Sequence, residues 1–389
     1  MFKAIFFLMA LVGAVNACAN TSQHGPFYEF DHTYLDPTKE SFYFQADDGM
    51  FQQGSLWASS FRPEHTVTTP YLNEDIDTWE GTTIILADFG TSFLTHYFHF
   101  LEHLLGFWEF GGCANRELVT HILYCSSEHK DVDYNWKGVN AISEKILQAL
   151  FPHAKVQTLK QVKDSTTKPI YIPQLIFSSR IVSLHEPEAR RLNKMLGSVW
   201  DQISVEKMEE LKKILFSFYN IPVKDPDSQL RITYLKRPSP RKLTSRKEHG
   251  LLGAIDRLDG NLTITDLALI PYEEQLKIIA NTDILISVHG NGLSHIPFLP
   301  DHATVIEIFP KDSYMWDYCM FSRISRVDYW GTYGIDRWVT EDIAFTFSPF
   351  GNVFKEVKEC DSPEILHIVK QKIDKFSSSR DQFLRRTAI

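Results

Sequence analysis

The sequence lacks several features that would assign it to particular classes of protein. It has no run of five or more basic residues and carries a net charge of −9 at pH 7, which argues against nucleic acid as a partner. It has no Cys-x-x-Cys pair, so a structural zinc site is not expected. After the N-terminal segment, no stretch is apolar over the roughly 20 residues that a membrane span requires. The remaining composition is that of an ordinary globular protein.

The N-terminus has the pattern of a secretory signal peptide. A lysine precedes an apolar segment, residues 4–15, and Ala17-Cys18-Ala19 supplies the small residues of a cleavage site. An uncleaved signal anchor is the alternative. Glycosylation sequons at Asn20 and Asn261 fit the same route. We therefore expect a signal over residues 1–19 and a glycoprotein that is retained in the endoplasmic reticulum or Golgi lumen, or secreted.

Four cysteines remain if Cys18 leaves with the signal. An even number in an oxidising compartment predicts one or two disulfides. Pairing Cys113 with Cys125 and Cys319 with Cys360 crosses the fewest domains, although three connectivities are possible.

The chain of 389 residues is longer than one hydrophobic core normally holds, which predicts two domains. Residues 20–80 look irregular, and a linker rich in Pro and Asp covers residues 221–228. Between them, strands are predicted at 82–87, 121–125, 155–159 and 170–177, with helices at 95–110, 141–150, 186–203 and 205–219. Beyond the linker, strands are predicted at 231–235, 262–264, 284–288 and 304–309, with helices at 272–280 and 363–376. Alternating strands and helices predict α/β domains of Rossmann type over residues 20–222 and 223–389.

The stretch 283–310 is the most informative part of the chain. Its first apolar strand ends in the turn His289-Gly290-Asn291-Gly292, and a helix capped by Ser294 should follow before the second strand. In a parallel sheet such a turn lies at the carboxyl edge, where ligands of open α/β folds bind. Glycines at a helix start suit an anion, because a phosphate can approach the N–H groups closely. The alternative is that the glycines only turn the chain and that His289 is structural.

A basic segment follows the strand at 231–235. Lys236, Arg237, Arg241 and Lys242 place four cations within seven residues. Guanidinium groups bind phosphate oxygens in pairs, so a strand end with two arginines is suited to a phosphorylated ligand. A solvated basic loop is the alternative.

The aromatic helix predicted at 95–110 carries His96, His99 and His103 on one face, beside Glu102. One interpretation is a packing helix whose polar edge happens to hold imidazoles. A metal site is not favoured, because seven residues of helix span about 10 Å, too far for three nitrogens around one ion. The third interpretation is a general base for an alcohol proton, supplied by one of these side chains.

These motifs resemble glycosyltransferase family 61, which includes EGF-domain-specific and O-mannose-linked N-acetylglucosaminyltransferases and plant xylan transferases. The resemblance rests chiefly on the HGxGL turn, the Phe-Leu-Pro that ends the helix and the following Val-Ile-Glu-Ile-Phe-Pro. His99-Phe100 fits the centre of the family's Asn-x-x-His-Phe pattern, although His96 stands where Asn is usual and His103 where Asp is usual. Arg237 and Arg241 fit its strand-Arg-x-x-x-Arg segment.

The resemblance implies a GT-B fold, with two Rossmann-like domains facing a central cleft, and an inverting glycosyltransferase. The enzyme would move a sugar, GlcNAc or xylose first, from a UDP-sugar to a hydroxyl of a glycan or protein. His99 is the preferred base, with His103 and Glu102 as alternatives. The donor diphosphate would be held by Arg237, Arg241, His289, Gly290, Asn291, Gly292 and Ser294. No metal or other cofactor is expected, because the helix dipole and the two arginines would take the place of a metal.

Two other functions remain open at this point. A secreted glycoside hydrolase would need two facing carboxylates, such as Glu102 with Glu307 or Asp88. The second alternative is a binding protein that keeps the GT-B fold but has lost the general base. The substitutions around His99 favour this alternative. The sequence indicates neither the acceptor nor the oligomeric state.

Overall fold

The structure is a computed structural model that describes a defined part of the chain. The described residues are 27–45, 51–55, 66–67, 75–88, 97, 100–101, 104–105, 113–126, 139–178, 205–222, 229–238, 242–258, 260–301, 303–309, 317–332, 357–358 and 362–387. The chain forms two compact units, Met1–Lys207 and Met208–Ile389. The division falls near the start of the helix Val205–Phe218, one helix before the linker at which the sequence predicts the boundary.

The first unit is built on a mixed sheet. Its described strands are β1 (Phe27–Asp36), β2 (Ser41–Gln45), β3 (Phe51–Ser55), β4 (Thr66–Val67), β5 (Asp77–Thr78), β6 (Thr82–Asp88), β7 (Val119–Ser126), β8 (Lys155–Thr158) and β9 (Ile170–Ser178). Its described helices are the 3₁₀ helix Cys113–Leu118 and the α-helices α1 (Val139–Leu150) and α2 (Leu159–Ser165). The strands follow the order β4-β3-β2-β1-β9-β6-β7-β8, with β5 also paired to β9. The four predicted strands between residues 82 and 177 are therefore confirmed.

The prediction that residues 20–80 are irregular was wrong. Strands β1, β2 and β3 form an antiparallel extension of the sheet, and β1 pairs with β9 from Phe27 to Leu35. The alternating side chains of this segment place Leu35, Phe42 and Phe44 in the core. The segment is stable because β9, more than a hundred residues away in sequence, supplies its partner strand, which local patterns do not reveal.

The second unit holds a parallel sheet covered by helices. Its strands are β10 (Arg231–Leu235), β11 (Asn261–Thr265), β12 (Ile284–Val288), β13 (Thr304–Ile308) and β14 (Asp328–Gly331). Its α-helices are α3 (Val205–Phe218, whose first residues belong to the first unit), α4 (Ser245–Ile255), α5 (Tyr272–Ala280), α6 (Asp317–Ile324) and α7 (Ser362–Thr387). Two 3₁₀ helices, Leu267–Leu269 and Asn291–Phe298, complete the described elements.

Every pairing in this second sheet is parallel, in the order β11-β10-β12-β13-β14. Strands β12 and β13 are buried at every residue, as expected for central strands covered on both faces. If the five strands are numbered along the chain, their order in the sheet is 2-1-3-4-5. The connection after β10 therefore leads to one side of the sheet, and the connection after β12 leads to the other side. This switch point is where open α/β sheets bind ligands at their carboxyl edge.

The sequence predicted β10, β12 and α5 with the observed bounds and β11 and β13 within a residue or two. It missed α4, α6 and β14. Tyr318 of α6 is buried, and Trp330 of β14 packs against the main core of the unit. Tyr318 is therefore a core residue, and Trp330 is a partly buried residue at the edge of the same core.

The two predicted disulfides are not formed, because Cys125 and Cys319 both carry free thiols. Cys125 lies in the core of the first unit, where burial raises the pKa of its thiol. Burial raises the pKa of Cys319 to about 12. Both cysteine side chains therefore pack as small apolar groups.

Within the described residues, no helix has the length and apolar character to cross a membrane. The predicted α/β class is confirmed, and two units with parallel strands are consistent with the GT-B expectation.

Candidate functional site

The candidate site lies at the switch point of the second sheet. Strands β10 and β12 are hydrogen-bonded neighbours, and both run towards the same edge. Arg237 follows the end of β10, and His289 and Gly290 follow the end of β12. The two motifs that the sequence singled out for an anion therefore meet at this edge.

Gly290 allows the guanidinium group of Arg237 to lie directly against the turn. The backbone of Gly290 has φ 150° and ψ 179°, a region that is essentially restricted to glycine. A Cβ atom built at this position would lie 1.2 Å from Nη1 of Arg237. The same Nη1 donates a hydrogen bond to the carbonyl oxygen of His289 at 3.0 Å. A side chain at residue 290 and the observed position of Arg237 are mutually exclusive.

Gly292 has a second packing role in the turn. A Cβ atom at this position would lie 3.2 Å from Cδ1 of Leu235, the last residue of β10. The turn after β12 therefore packs closely on the end of the neighbouring strand.

The helix predicted after the turn is present as a 3₁₀ helix, Asn291–Phe298. Pro297 lies inside it and has no N–H to donate, and Leu293 N–H already bonds to the Gly290 oxygen in the tighter 3₁₀ spacing. The prediction that Ser294 caps the helix was wrong. Ser294 is buried within the helix and donates from Oγ to Oδ1 of Asn291 at 3.1 Å. Asn291 is thus oriented by the residue expected to be the cap.

The start of this helix is suited to an anion. The first N–H groups of a helix have no acceptor within the helix, and their dipoles give that end partial positive charge. Gly290 precedes the helix without a side-chain cap. The positive guanidinium group of Arg237 adjoins the same turn.

A buried chain of hydrogen bonds lies beneath the turn. Nδ1 of His289 is 2.5 Å from Oε1 of Glu307, and the hydroxyl of Tyr329 donates to Oε2 of Glu307 at 2.5 Å. Glu307 is fully buried in β13, and His289 is only 4% exposed. The His289 ring also contacts Phe309 and Tyr318, with centroid distances of 5.5 and 5.3 Å. The structural interpretation of His289 is thus supported, while its carbonyl oxygen contributes to the site by binding Arg237.

The electrostatic environment follows from this burial. Burial raises the pKa of Glu307 well above its ordinary value, against the opposing effects of the Tyr329 hydrogen bond and of Arg237. Burial also lowers the pKa of Arg237, while Tyr318, Asp266 and Glu307 act to raise it. Arg237 therefore brings a partly desolvated cation to the switch point, where an incoming anion would interact with it more strongly than with an exposed side chain.

Comparison with known proteins assigns the chain to a family. The family model "Glycosyltransferase 61" matches residues 97–306, more than half of the chain. The chain belongs to glycosyltransferase family 61. The matched range contains Arg237 and the whole turn from His289 to Ser294.

Curated proteins resemble a limited part of this family 61 chain. The EGF domain-specific O-linked N-acetylglucosamine transferase of Drosophila melanogaster is 38% identical over 91 residues, which are 23% of this chain and 17% of that protein. The Gallus gallus protein of the same name is 36% identical over 93 residues, 23% of this chain and 17% of that protein. The chain thus matches less than a fifth of the length of these relatives.

One solved structure in the comparison is a crystal structure of a dodecameric iron-containing heptosyltransferase in complex with ADP-D-beta-D-heptose. The alignment covers 92% of this chain and 93% of the heptosyltransferase chain. The identity is 8% and the TM-score is 0.30. A score this low supports no conclusion about fold or function.

Four of the predicted site residues of this family 61 chain lie outside the described residues: Arg241, His99, Glu102 and His103. The described positions of the same aromatic segment are helical and buried, and they recur at spacings of three and four. They are Tyr97, Phe100, Leu101, Leu104 and Leu105. The packing face of the predicted helix is therefore formed by these residues, and the three base candidates occupy intervening sequence positions.

Sequence reasoning missed the roles of Glu307 and Tyr329. A single carboxylate inside the apolar run Thr-Val-Ile-Glu-Ile was the available signal for Glu307, because such a group needs a buried partner. No local signal marked Tyr329. Glu307 appeared only as a candidate hydrolase carboxylate, but its full burial and its bonds to His289 and Tyr329 leave it unsuited to face a substrate.

The described residues contain no group of three His, Cys, Asp or Glu side chains placed to hold a metal ion.

Buried His295 is expected to make the folding stability of this family 61 chain sensitive to acid. Burial lowers the pKa of His295 from its ordinary 6.5 to about 4, although its bond to the Gly292 carbonyl opposes the shift. Between these values the unfolded chain binds a proton that the folded chain does not, so stability falls as the pH drops through this window. The full loss is about 3 kcal/mol.

Chemical unfolding of wild type and His295→Gln between pH 7 and pH 4 checks this expectation. The variant should lose less stability over the window than wild type. His249→Gln, at an exposed position in α4, is the matched control and should behave as wild type. An identical pH dependence in wild type and His295→Gln would contradict the assignment.

Proposed function

We propose that this family 61 chain is an inverting glycosyltransferase that uses a nucleotide-sugar donor, a UDP-sugar. The observation that carries the proposal is the Arg237 guanidinium lying against Gly290 at the switch point, next to a helix start. A cation, backbone N–H groups and a glycine that admits close approach form a site for a diphosphate. The family assignment supplies the reaction class.

The proposed mechanism has two parts, donor binding and activation of the acceptor. The donor diphosphate binds at the helix start, and Arg237 with Arg241 neutralises the charge that develops on it as the sugar–phosphate bond breaks. An acceptor hydroxyl attacks the anomeric carbon from the opposite face as the sugar–phosphate bond breaks, and it loses its proton to a general base. We assign that base to His99, with His103 and Glu102 as the alternatives.

N-acetylglucosamine is the first sugar to test, and xylose is the second. The support for N-acetylglucosamine is the name of the curated relatives, which are EGF domain-specific O-linked N-acetylglucosamine transferases. The acceptor class is a hydroxyl group of a glycan or protein.

A transfer assay with purified chain tests the function. UDP-GlcNAc and UDP-xylose, radiolabelled in the sugar, are offered with a panel of glycan and glycoprotein acceptors. Labelled acceptor that depends on the chain, and that His99→Ala abolishes, supports the proposal. Acceptor cleavage in the absence of any nucleotide would point to the hydrolase, and UDP binding without turnover would point to a binding protein.

We further propose that the reaction needs no divalent metal, because Arg237, Arg241 and the helix start supply the positive charge that a metal would otherwise provide. Transfer should therefore continue unchanged in excess EDTA. Complete loss of transfer on chelation, restored by manganese, would contradict the proposal. The transfer rate measured with and without EDTA tests the metal dependence directly.

A location in the secretory pathway is part of the proposal. Asn261 and Thr263 of the sequon are exposed on β11, the edge strand of the second sheet. Asn261 lies at the amino end of that strand, whereas Arg237 lies at the carboxyl edge, so a glycan at Asn261 would leave the donor site open. We expect a glycosidase-sensitive mass on the chain expressed in animal cells, reduced in Asn261→Gln. An unmodified chain retained in the cytosol would contradict the secretory location, whereas an unmodified Asn261 in secreted chain would contradict only its use as a glycosylation site.

A further inference from the structure

The hydrogen bonds that link Tyr329, Glu307 and His289 determine which nitrogen of the His289 ring carries a proton. Both oxygens of Glu307 are engaged: Oε2 accepts from the Tyr329 hydroxyl, and Oε1 lies 2.5 Å from Nδ1 of His289. A single proton occupies the contact between Oε1 and Nδ1. Which atom holds it decides what the other ring nitrogen, Nε2, can do.

Two proton arrangements are possible for a neutral His289. If the carboxyl group is protonated, it donates to Nδ1, and the ring proton is then on Nε2, which becomes a hydrogen-bond donor. If the carboxyl group is ionised, Nδ1–H donates to it, and Nε2 has no proton. Burial of Glu307 away from water favours the uncharged acid, which agrees with the direction of its pKa.

The same network is joined to the arginine of the donor site. The His289 carbonyl oxygen accepts from Nη1 of Arg237, and the His289 N–H bonds to the Ile308 oxygen, next to Glu307 in β13. The imidazole and its peptide are thus held from both sides. A rotation of the His289 peptide would move the carbonyl oxygen that accepts from Arg237, and the contact between its ring and Glu307 anchors the residue that carries this peptide.

We propose that Glu307 is a positioning residue that acts as a neutral hydrogen-bond donor, fixing His289 as its Nε2–H tautomer and holding the His289 carbonyl towards Arg237. Tyr329 completes the arrangement by occupying the other oxygen of Glu307, so that the acid proton is directed to His289. This inference extends the proposed donor site, and the tautomer itself can be measured without any donor.

The groups that act on this proton come from several elements. Among the described residues, the groups that face Glu307 or the His289 ring include Arg237 after β10, Tyr318 and Cys319 of α6, and Tyr329 of β14. Arg237 favours the ionised carboxylate, and burial opposes it more strongly. The full burial of Glu307 and the side-chain partners at both of its oxygens are the geometric basis for the neutral acid, and the upward direction of its pKa agrees with it.

Substitution of Glu307 by glutamine separates positioning from charge. With Tyr329 donating to the amide oxygen, the amide nitrogen faces Nδ1 of His289 and donates to it, as the neutral acid does. Glu307→Gln should therefore preserve the Nε2–H tautomer. Glu307→Leu is close in volume but cannot donate, so it should release the ring and weaken UDP binding by roughly tenfold or more.

Nitrogen-15 spectra of the histidine rings test the inference on the intact chain, with His289 assigned by comparison with His289→Gln. The Nε2–H tautomer in wild type and in Glu307→Gln supports it. The Nδ1–H tautomer in wild type would overturn it, whether or not Glu307→Leu folds. Calorimetric titration with UDP then gives the second readout: Glu307→Gln should bind within a few-fold of wild type, and a tenfold loss in Glu307→Gln would also overturn it. Absence of UDP binding to wild type would refute the proposed function and leave the tautomer result standing.

Discussion

Replacing Gly290 with alanine is expected to weaken UDP binding by roughly tenfold to a hundredfold or more. A Cβ atom at residue 290 would lie 1.2 Å from Nη1 and 2.2 Å from Cζ of Arg237, so the guanidinium group must leave its position. The backbone at φ 150° also costs about 1–3 kcal/mol for a residue with a side chain. Loss of one charged hydrogen-bonding partner costs roughly 1.5–3 kcal/mol of binding, which alone is about ten- to a hundredfold in affinity.

Gly250→Ala is the matched control for this substitution. Gly250 lies in the helix α4, and a Cβ atom there meets nothing within 4 Å. Alanine in a helix should stabilise the chain by about 0.5–1 kcal/mol and leave UDP binding unchanged. Thermal unfolding and calorimetric titration of both variants give the comparison. UDP affinity in Gly290→Ala equal to that of wild type would show that the turn and Arg237 do not form the donor site.

Replacing Arg237 with methionine is expected to reduce UDP affinity at least as far, while the fold is retained. Methionine fills much of the volume of the arginine stem and removes the guanidinium group, so the diphosphate loses its cation but the turn keeps its shape. The lost bond to the His289 carbonyl costs about 1 kcal/mol of stability. Arg237→Lys should be intermediate, because an ammonium group provides a point charge without paired donors.

Lys236→Met provides the control for net charge. Lys236 is the neighbouring cation, and its side chain is exposed, so screening by solvent makes its contribution small. Titration with UDP at fixed ionic strength should rank the four proteins as wild type and Lys236→Met, then Arg237→Lys, then Arg237→Met. Equal losses in Lys236→Met and Arg237→Met would indicate a general attraction between charges and no built site.

Much of the second unit could be predicted from the sequence. Strands β10 and β12 are short branched apolar runs with clear ends, and glycines mark the turn. The sequence therefore predicted that Arg237 and the turn lie at the same edge of the sheet, and the structure adds that β10 and β12 are neighbours, which brings Arg237 against Gly290. The helix type was not predictable in the same way, because Pro297 and the bonding of Leu293 to Gly290 set a 3₁₀ helix over a pattern that also fits an α-helix.

The remaining errors come from long-range contacts. The antiparallel strands β1 to β3 depend on β9, and the partners of Glu307 lie in other strands or turns. The cysteine pairing assumed that sequence proximity within each half brings thiols together, whereas packing placed Cys125 in a core. Each of these features is decided by tertiary structure, which local pattern does not specify.

The central claim is that the turn after β12, with Arg237, binds the diphosphate of a nucleotide-sugar donor. Hydrogen–deuterium exchange of the intact chain with and without UDP tests this claim most directly, because it locates the ligand on the backbone. Bound UDP should slow exchange in peptides covering residues 236–238 and 289–294, and should leave β11 at its amino end unchanged. No protection in either of those peptides at saturating UDP, or protection confined to other parts of the chain, would contradict the account.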